Sequence, residues 1–335
     1  MAKIAVLGCG FGTSLAVMAN KYGHDVVLWS KFEKEIQEIR TYGENRRLLP
    51  GVPVSPSIVL TTNLADIEQA EYVLMVVPTN AMREAAKSAA PHIRSDAVVI
   101  NLAKGLEKGS LKRMSQVLQE EMSGQEIVVL SGPCHAEEVA RNMPTTIVAA
   151  SNHRAAAERV QDVLSNGSMR IYVSDDMIGV EVGGAFKNVI ALCAGICDGA
   201  GLGDNTKAAL MTRGITEIAR LGVALGAQTE TFAGLSGIGD LIVTCMSMHS
   251  RNRRAGILIG QGIDPVVAVE RVGTVEGYTA TETAWMLAQK QKIEMPITEQ
   301  LYQVLYQGKF FRDALQDLLS RPQRHENEEV WLNSK

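Results

Sequence analysis

The stretch VLGCGFGTSLAV, Val6 to Val17, sets glycines at 8, 10 and 12 between an apolar run and an amphipathic one. It reads as a strand entering a tight turn and then a helix. In the pattern G-x-G-x-x-G, the first glycine permits the turn and the second lets the backbone approach a pyrophosphate. The third lets helix pack on strand, and the helix N-terminus offers free N–H groups to the anion. Here the last gap holds Phe11 alone, one residue instead of two. Gly8, Gly10 and Gly12 are still expected to fill the three parts, with Thr13 and Ser14 starting the helix. The glycines flanking Phe11 leave the backbone free to tighten and keep its amides on the phosphate. A ligand-free Gly-rich turn is the plain alternative. The position after the first strand of an α/β chain favours a cofactor loop.

Outward from this loop, short apolar runs alternate with helix-like ones. Strands are expected at 3–8, 25–30, 57–62, 72–77, 97–103 and 126–131, with 145–151 and 169–174 extending the sheet. Helices are expected at Thr13–Tyr22, Asn80–Ala90 and Ser110–Met122. Near-continuous apolar strands between helices imply a parallel sheet covered on both faces, a doubly wound α/β domain of Rossmann type. After residue 178 the runs become long, Ala-rich and Gly-studded, so an all-α domain is expected over 179–325, following a dinucleotide-binding domain over 1–178. The tail from Arg321 is polar and is expected to be loosely ordered.

With 335 residues, two domains are the natural division. A net charge of −4 gives no electrostatic reason to expect nucleic acid or an anionic membrane. No apolar run is expected to reach the ~20 residues a membrane span needs. The five cysteines are odd in number and scattered, which suits a reducing, cytoplasmic setting. No metal-ligand spacing occurs, so no metal is expected.

Several polar residues stand in apolar surroundings. The second strand ends Ser30–Lys31, where NAD sites usually carry an acid for the ribose hydroxyls. A cation at that point favours NADP(H), with NAD(H) also possible. Lys104 follows a buried strand at the end where open α/β sheets bind ligands. Lys187 lies in GGAFKNVIALCAG; unpaired, it would be desolvated, its pKa pushed down, and it could exchange a proton near neutral pH. Asp240 lies between glycines and an apolar run. HSRNRRAG places Ser250 as an N-cap ahead of Arg251 and Asn252, a combination suited to phosphate.

In order along the chain, VLGCGFGTSLA, VVPTN, NLAKGLE, SGPCHAEEVA, GGAFKNVIA, GLGDNTKAALMTRG, GIGDLIVTC, SRNRRAG and VEGYTAT resemble NAD(P)-dependent glycerol-3-phosphate dehydrogenase of the bacterial type. The resemblance spans roughly residues 3–320. It implies a cytoplasmic homodimer that interconverts dihydroxyacetone phosphate and sn-glycerol 3-phosphate by hydride transfer, for glycerophospholipid synthesis. It implies Lys187 as proton donor and acceptor, with Lys104 and Asp240 in the same centre. Substrate contacts are then Lys104, Gly132, Cys134, Lys187, Asp240, Ser250, Arg251 and Asn252. Cofactor contacts are Gly8, Gly10, Phe11, Gly12, Lys31, Lys104, Ala136, Arg251, Val275 and Glu276. Cys134 stands where the family commonly has serine or threonine, and the 274–276 segment is one residue shorter than in many relatives. Two other readings are a Rossmann dehydrogenase acting on β-hydroxyacids and a non-catalytic NADPH-binding sensor derived from the enzyme.

Overall fold

The computed structural model describes residues 1–323, 325 and 326, in two compact units. The first comprises Met1–Glu107 and Lys112–Met177; the second comprises Lys108–Leu111 and the chain from Ile178. The expectation of a loose tail falls largely on Arg324 and residues 327–335, outside the described residues.

In the first unit eight strands form one sheet: β1 Lys3–Leu7, β2 Asp25–Trp29, β3 Val59–Thr61, β4 Tyr72–Met75, β5 Val98–Asn101, β6 Glu126–Ser131, β7 Thr145–Ala150 and β8 Met169–Ser174. Their order is β3-β2-β1-β4-β5-β6-β7-β8. Side chains alternate between two buried cores: Ile4 and Val6 join one, Ala5 and Leu7 the other. Both faces of the central strands are therefore apolar, which is why the sequence shows continuous runs and no alternation.

The sheet departs from the all-parallel expectation at one junction. β6 and β7 pair antiparallel, with Val129 opposite Ala150, and β8 runs parallel to β7. The link over residues 132–144 holds one short helix, Ala136–Ala140, and delivers β7 reversed. An apolar run reads alike in both directions, so periodicity carried no sign of this.

β1 pairs with both β2 and β4. The chain winds outward in opposite senses from that pair, and the carboxyl ends of β1 and β4 form the switch point where such sheets bind ligands. Two helices start later than expected. Met82–Ala89 follows a 3₁₀ turn, Thr79–Ala81, which takes up the first residues of the expected helix. Met114–Glu121 starts at Met114 because Gly109 and Leu111 have positive φ, which no helix accommodates.

The second unit is helical over its described residues: Met177–Gly199, Gly203–Ala224, Thr229–Phe232, Asp240–Met246, Arg251–Gly260, Pro265–Val272, Glu276–Gln291, Pro296–Tyr306 and Phe311–Leu319. Met177–Gly199 is 23 residues long and apolar enough to pass for a membrane span by length and composition, yet its apolar window is wholly buried in the protein. Glycines let Arg251–Gly260 pack backbone to backbone against it. A Cβ on Gly195 would lie 2.1 Å from the Arg253 carbonyl oxygen, and one on Gly256 would lie 2.1 Å from that of Leu192. This close crossing brings the residues after Ser250 against the middle of the buried helix.

Candidate active site

Gly8 leaves β1 at φ +115°, and a Cβ there would meet the Val76 carbonyl oxygen at 2.7 Å. Gly12 rests on Val6, whose Cγ1 would lie 2.9 Å from an added Cβ; it is the helix-on-strand contact. Above Gly10 nothing lies within 4 Å, so the backbone of the middle glycine faces open room. The helix begins at Phe11, two residues before the expected Thr13, and its first turn carries neither an acid nor a side-chain cap. The shorter gap is absorbed by starting the helix at once. Open space over Gly10 and uncapped N–H groups at the start of an eleven-residue helix fit a dinucleotide pyrophosphate.

Asn45, absent from the sequence reading, braces this loop. Its Nδ2 donates to the Cys9 carbonyl at 2.8 Å and to Thr13 Oγ1 at 3.1 Å, while Thr13 Oγ1 donates to the same carbonyl at 2.6 Å. Asn45 lies more than thirty residues downstream, and no local pattern ties it to the loop. Lys31 sits at the end of β2 as expected, but in an exposed ion pair with Glu84 at 2.6 Å. Ala136 packs with the small cluster of Leu49, Val52 and Ala140.

At the carboxyl ends of β5 and β6, three expected residues meet. The Gly132 carbonyl accepts from Lys104 Nζ at 2.9 Å and from Cys134 Sγ at 3.1 Å, with Lys104 Nζ 3.5 Å from that sulfur. Adjacent parallel strands bring these two loops together.

In the second unit Lys187 is paired, so the case of an unpaired lysine does not arise. Lys187 forms a buried ion pair with Asp240 and donates to Thr244 Oγ1 at 2.8 Å; the two charged side chains are 8% and 1% exposed. Thr244 in turn donates to the Asp240 carbonyl at 2.6 Å. Thr244 went unnoticed in the sequence, although its spacing of four residues from Asp240 on one helix puts both on one face.

A second polar chain starts one residue on. Asn188 Nδ2 donates to Glu276 Oε2 at 3.1 Å, Asn252 Nδ2 donates to Asn188 Oδ1 at 2.8 Å, and Asn252 Oδ1 accepts from the Gly277 amide at 2.8 Å. Asn252 and Glu276 thus come together through Asn188, and buried Val275 caps the helix that Glu276 begins. Ser250 is the N-cap the sequence indicated, accepting from the Arg253 amide at 3.2 Å. Arg251 is exposed at the first helical position. Arg253 is turned inward to Asp198 at 2.7 Å.

Burial pushes the Cys9 and Cys245 thiols up to about 12 and Cys193 well upward too, which leaves these three sulfurs poor nucleophiles and poor metal ligands. Among the described residues no group of three or more His, Cys, Asp or Glu could hold a metal ion.

The model of the NAD-dependent glycerol-3-phosphate dehydrogenase N-terminus matches residues 3–157, and that of the C-terminus of the same family matches 176–316. This chain belongs to that family. A glycerol-3-phosphate dehydrogenase [NAD(P)+] of Desulfitobacterium hafniense (strain Y51) is 52% identical over 334 residues, 99% of this chain and 95% of the relative. One of Moorella thermoacetica is 52% identical over 97% of this chain and 98% of the relative. Among solved structures, the glycerol-3-phosphate dehydrogenase from Coxiella burnetii matches with a TM-score of 0.91 and 38% identity, over 96% of this chain and 99% of that one. Its family makes the chain a nicotinamide-dependent oxidoreductase.

Proposed function

We propose that the protein is a cytoplasmic glycerol-3-phosphate dehydrogenase that reduces dihydroxyacetone phosphate to sn-glycerol 3-phosphate, for glycerophospholipid synthesis. The first unit is its dinucleotide-binding domain and the second its substrate-binding and catalytic domain, working as a homodimer. The observation that carries this reading is the buried cluster in which Lys187 of the helix Met177–Gly199 meets Asp240 and Thr244 of the helix Asp240–Met246, in a chain of this family.

Gly8, Gly10, Phe11 and Gly12 would hold the cofactor at the pyrophosphate and Lys31 at the adenosine ribose, which favours NADP(H) over NAD(H). Ala136, Val275, Glu276, Lys104 and Arg251 complete its contacts. The bound nicotinamide supplies or accepts a hydride at C2 of the substrate. In the reducing direction Lys187, as ammonium, gives a proton to the substrate oxygen while negative charge develops on it. Asp240 and Thr244 accept from Nζ and hold the ammonium in place. After transfer the neutral amine takes up a proton from water, and the cycle closes. Lys104, held by the Gly132 carbonyl beside Cys134, adds positive charge. Ser250, Arg251 and Asn252 at the helix start take the phosphate, so that binding far from C2 fixes its position.

The test is oxidation of NADPH and of NADH with dihydroxyacetone phosphate, beside a panel of β-ketoacids. Turnover confined to the phosphorylated ketone supports the assignment. Nucleotide binding with no turnover of any substrate would overturn it. Sedimentation of the pure protein checks the dimer.

A further inference from the structure

The end of β2 carries more charge chemistry than Lys31. Ser30 is buried; its Oγ donates to Glu35 Oε2 at 2.6 Å and accepts from the Phe32 amide at 3.1 Å. The other oxygen of Glu35 is paired with Arg47. Arg47 belongs to the segment that Asn45 pins to the glycine loop, two residues away, so its backbone is fixed relative to Cys9. The Gly8 amide donates to the Trp29 carbonyl at 2.8 Å, which ties that loop to the last residue of β2. Glu35 and Arg47 both lie near enough to act electrostatically on the Cys9 thiol in the middle of the loop. Lys31, next to Ser30 in the chain, and Arg47, joined to Ser30 through Glu35, thus each have a carboxylate partner.

Both pairs are poised to change partner. Lys31 and Glu84 are 60% and 72% exposed, and an ion pair so exposed is weakly held, while Arg47 reaches from a side chain 60% exposed to a Glu35 that is 20% exposed, so the guanidinium is the mobile partner. A phosphate monoester brings nearly two charges and three acceptor oxygens, and a guanidinium fork matches it better than it matches one carboxylate oxygen. We propose that Arg47 is a specificity-determining residue, which leaves Glu35 to join Lys31 in binding the 2′-phosphate of NADP(H). Without that phosphate Arg47 stays on Glu35, and the carboxylate stands at the end of β2 to accept from a ribose hydroxyl. One site thereby serves both cofactors. This inference rests on the dinucleotide reading of the first unit and adds to it a residue that the glycine motif does not contain.

The test is calorimetric binding of adenosine 2′,5′-bisphosphate and of 5′-AMP to the full chain, with no turnover involved. Arg47→Gln is expected to weaken the bisphosphate about tenfold, as for loss of one charge-assisted contact, and to leave 5′-AMP within about twofold. Arg47→Lys is expected to lie between, since a point charge replaces the fork. Glu84→Gln, which frees Lys31, is expected to tighten the bisphosphate alone. Equal losses for both nucleotides, or no loss for either, would overturn the role of Arg47 while leaving the dinucleotide reading intact. Wild-type protein that bound neither nucleotide would overturn both. Thermal unfolding of each variant confirms that it folds, and should Arg47→Gln fail there, the Arg47→Lys and Glu84→Gln ratios decide.

Discussion

The molecule holds its lysines in two opposite ways. At the end of β2, Lys31 meets Glu84 in water, 60% exposed against 72%. In the helix Met177–Gly199, Lys187 meets Asp240 with 8% and 1% exposure and a threonine hydroxyl as a third member. The contacts are chemically alike, but burial gives them different uses. An exposed pair is screened and exchanges partners readily, which suits a ligand that must be captured and released. A buried pair is locked, because either partner alone would be stranded in apolar surroundings, and this suits a group whose proton must point one way. Glu217 offers a third case, a fully buried carboxylate that accepts from the amides of Ile297 and Thr298.

The largest effect is expected at Lys187. Lys187→Ala should lower kcat by about 10²–10⁴-fold, the range for loss of a general acid, with nucleotide affinity kept. Near-normal turnover would remove the functional half of the contrast.

Asp240→Ala should destabilise the fold by about 3–5 kcal/mol in denaturant unfolding, since it strands a buried ammonium. A loss below about 1 kcal/mol would put this pair in the same class as the exposed ones.

Glu217 extends the contrast to pH. Burial pushes it up from its ordinary 4.5 to about 7, despite the amide bonds. The native state therefore binds a proton that the unfolded chain has already released between those values. Stability from this group is complete below pH 4.5 and falls as pH rises through 7, by about 3 kcal/mol in all. Glu217→Gln should flatten that part of the plot of Tm against pH. A slope of the same size in both proteins would place its origin elsewhere.

Gly256→Ala should cost about 1–3 kcal/mol, because a Cβ at 2.1 Å from the Leu192 carbonyl oxygen must separate two helices. The smallest effect belongs to the exposed pair: Glu84→Gln should leave the unfolding midpoint unchanged. A clear fall in Tm would mean that Lys31 is held more firmly than its exposure suggests.

Much of this was legible in the chain. Eight runs became eight strands, and the central ones, buried on both sides, had little choice but a covered sheet, whereas the edge strands β3 and β8 leave Val59 and Tyr172 exposed. Gly8, Gly10 and Gly12 announced their loop even with one residue missing. The lysines, Asp240 and the Ser250 cap were visible as polar residues where the pattern asked for apolar ones or for a helix start. Other features left no local trace. Asn45 reaches the loop from more than thirty residues away, and Arg47 reaches Glu35 across twelve. Neither spacing belongs to any helix or strand period.

By itself, then, the sequence determined the order of elements, the covered sheet followed by helices, and the residue types that chemistry would need. Periodicity and glycine placement act locally, so they can be read locally. Only the tertiary structure decided the reversed direction of β7 and β8, the partner of Lys187 and the bracing of the glycine loop. Each of these depends on which distant segment comes to lie alongside, and that is settled when the apolar faces are buried together.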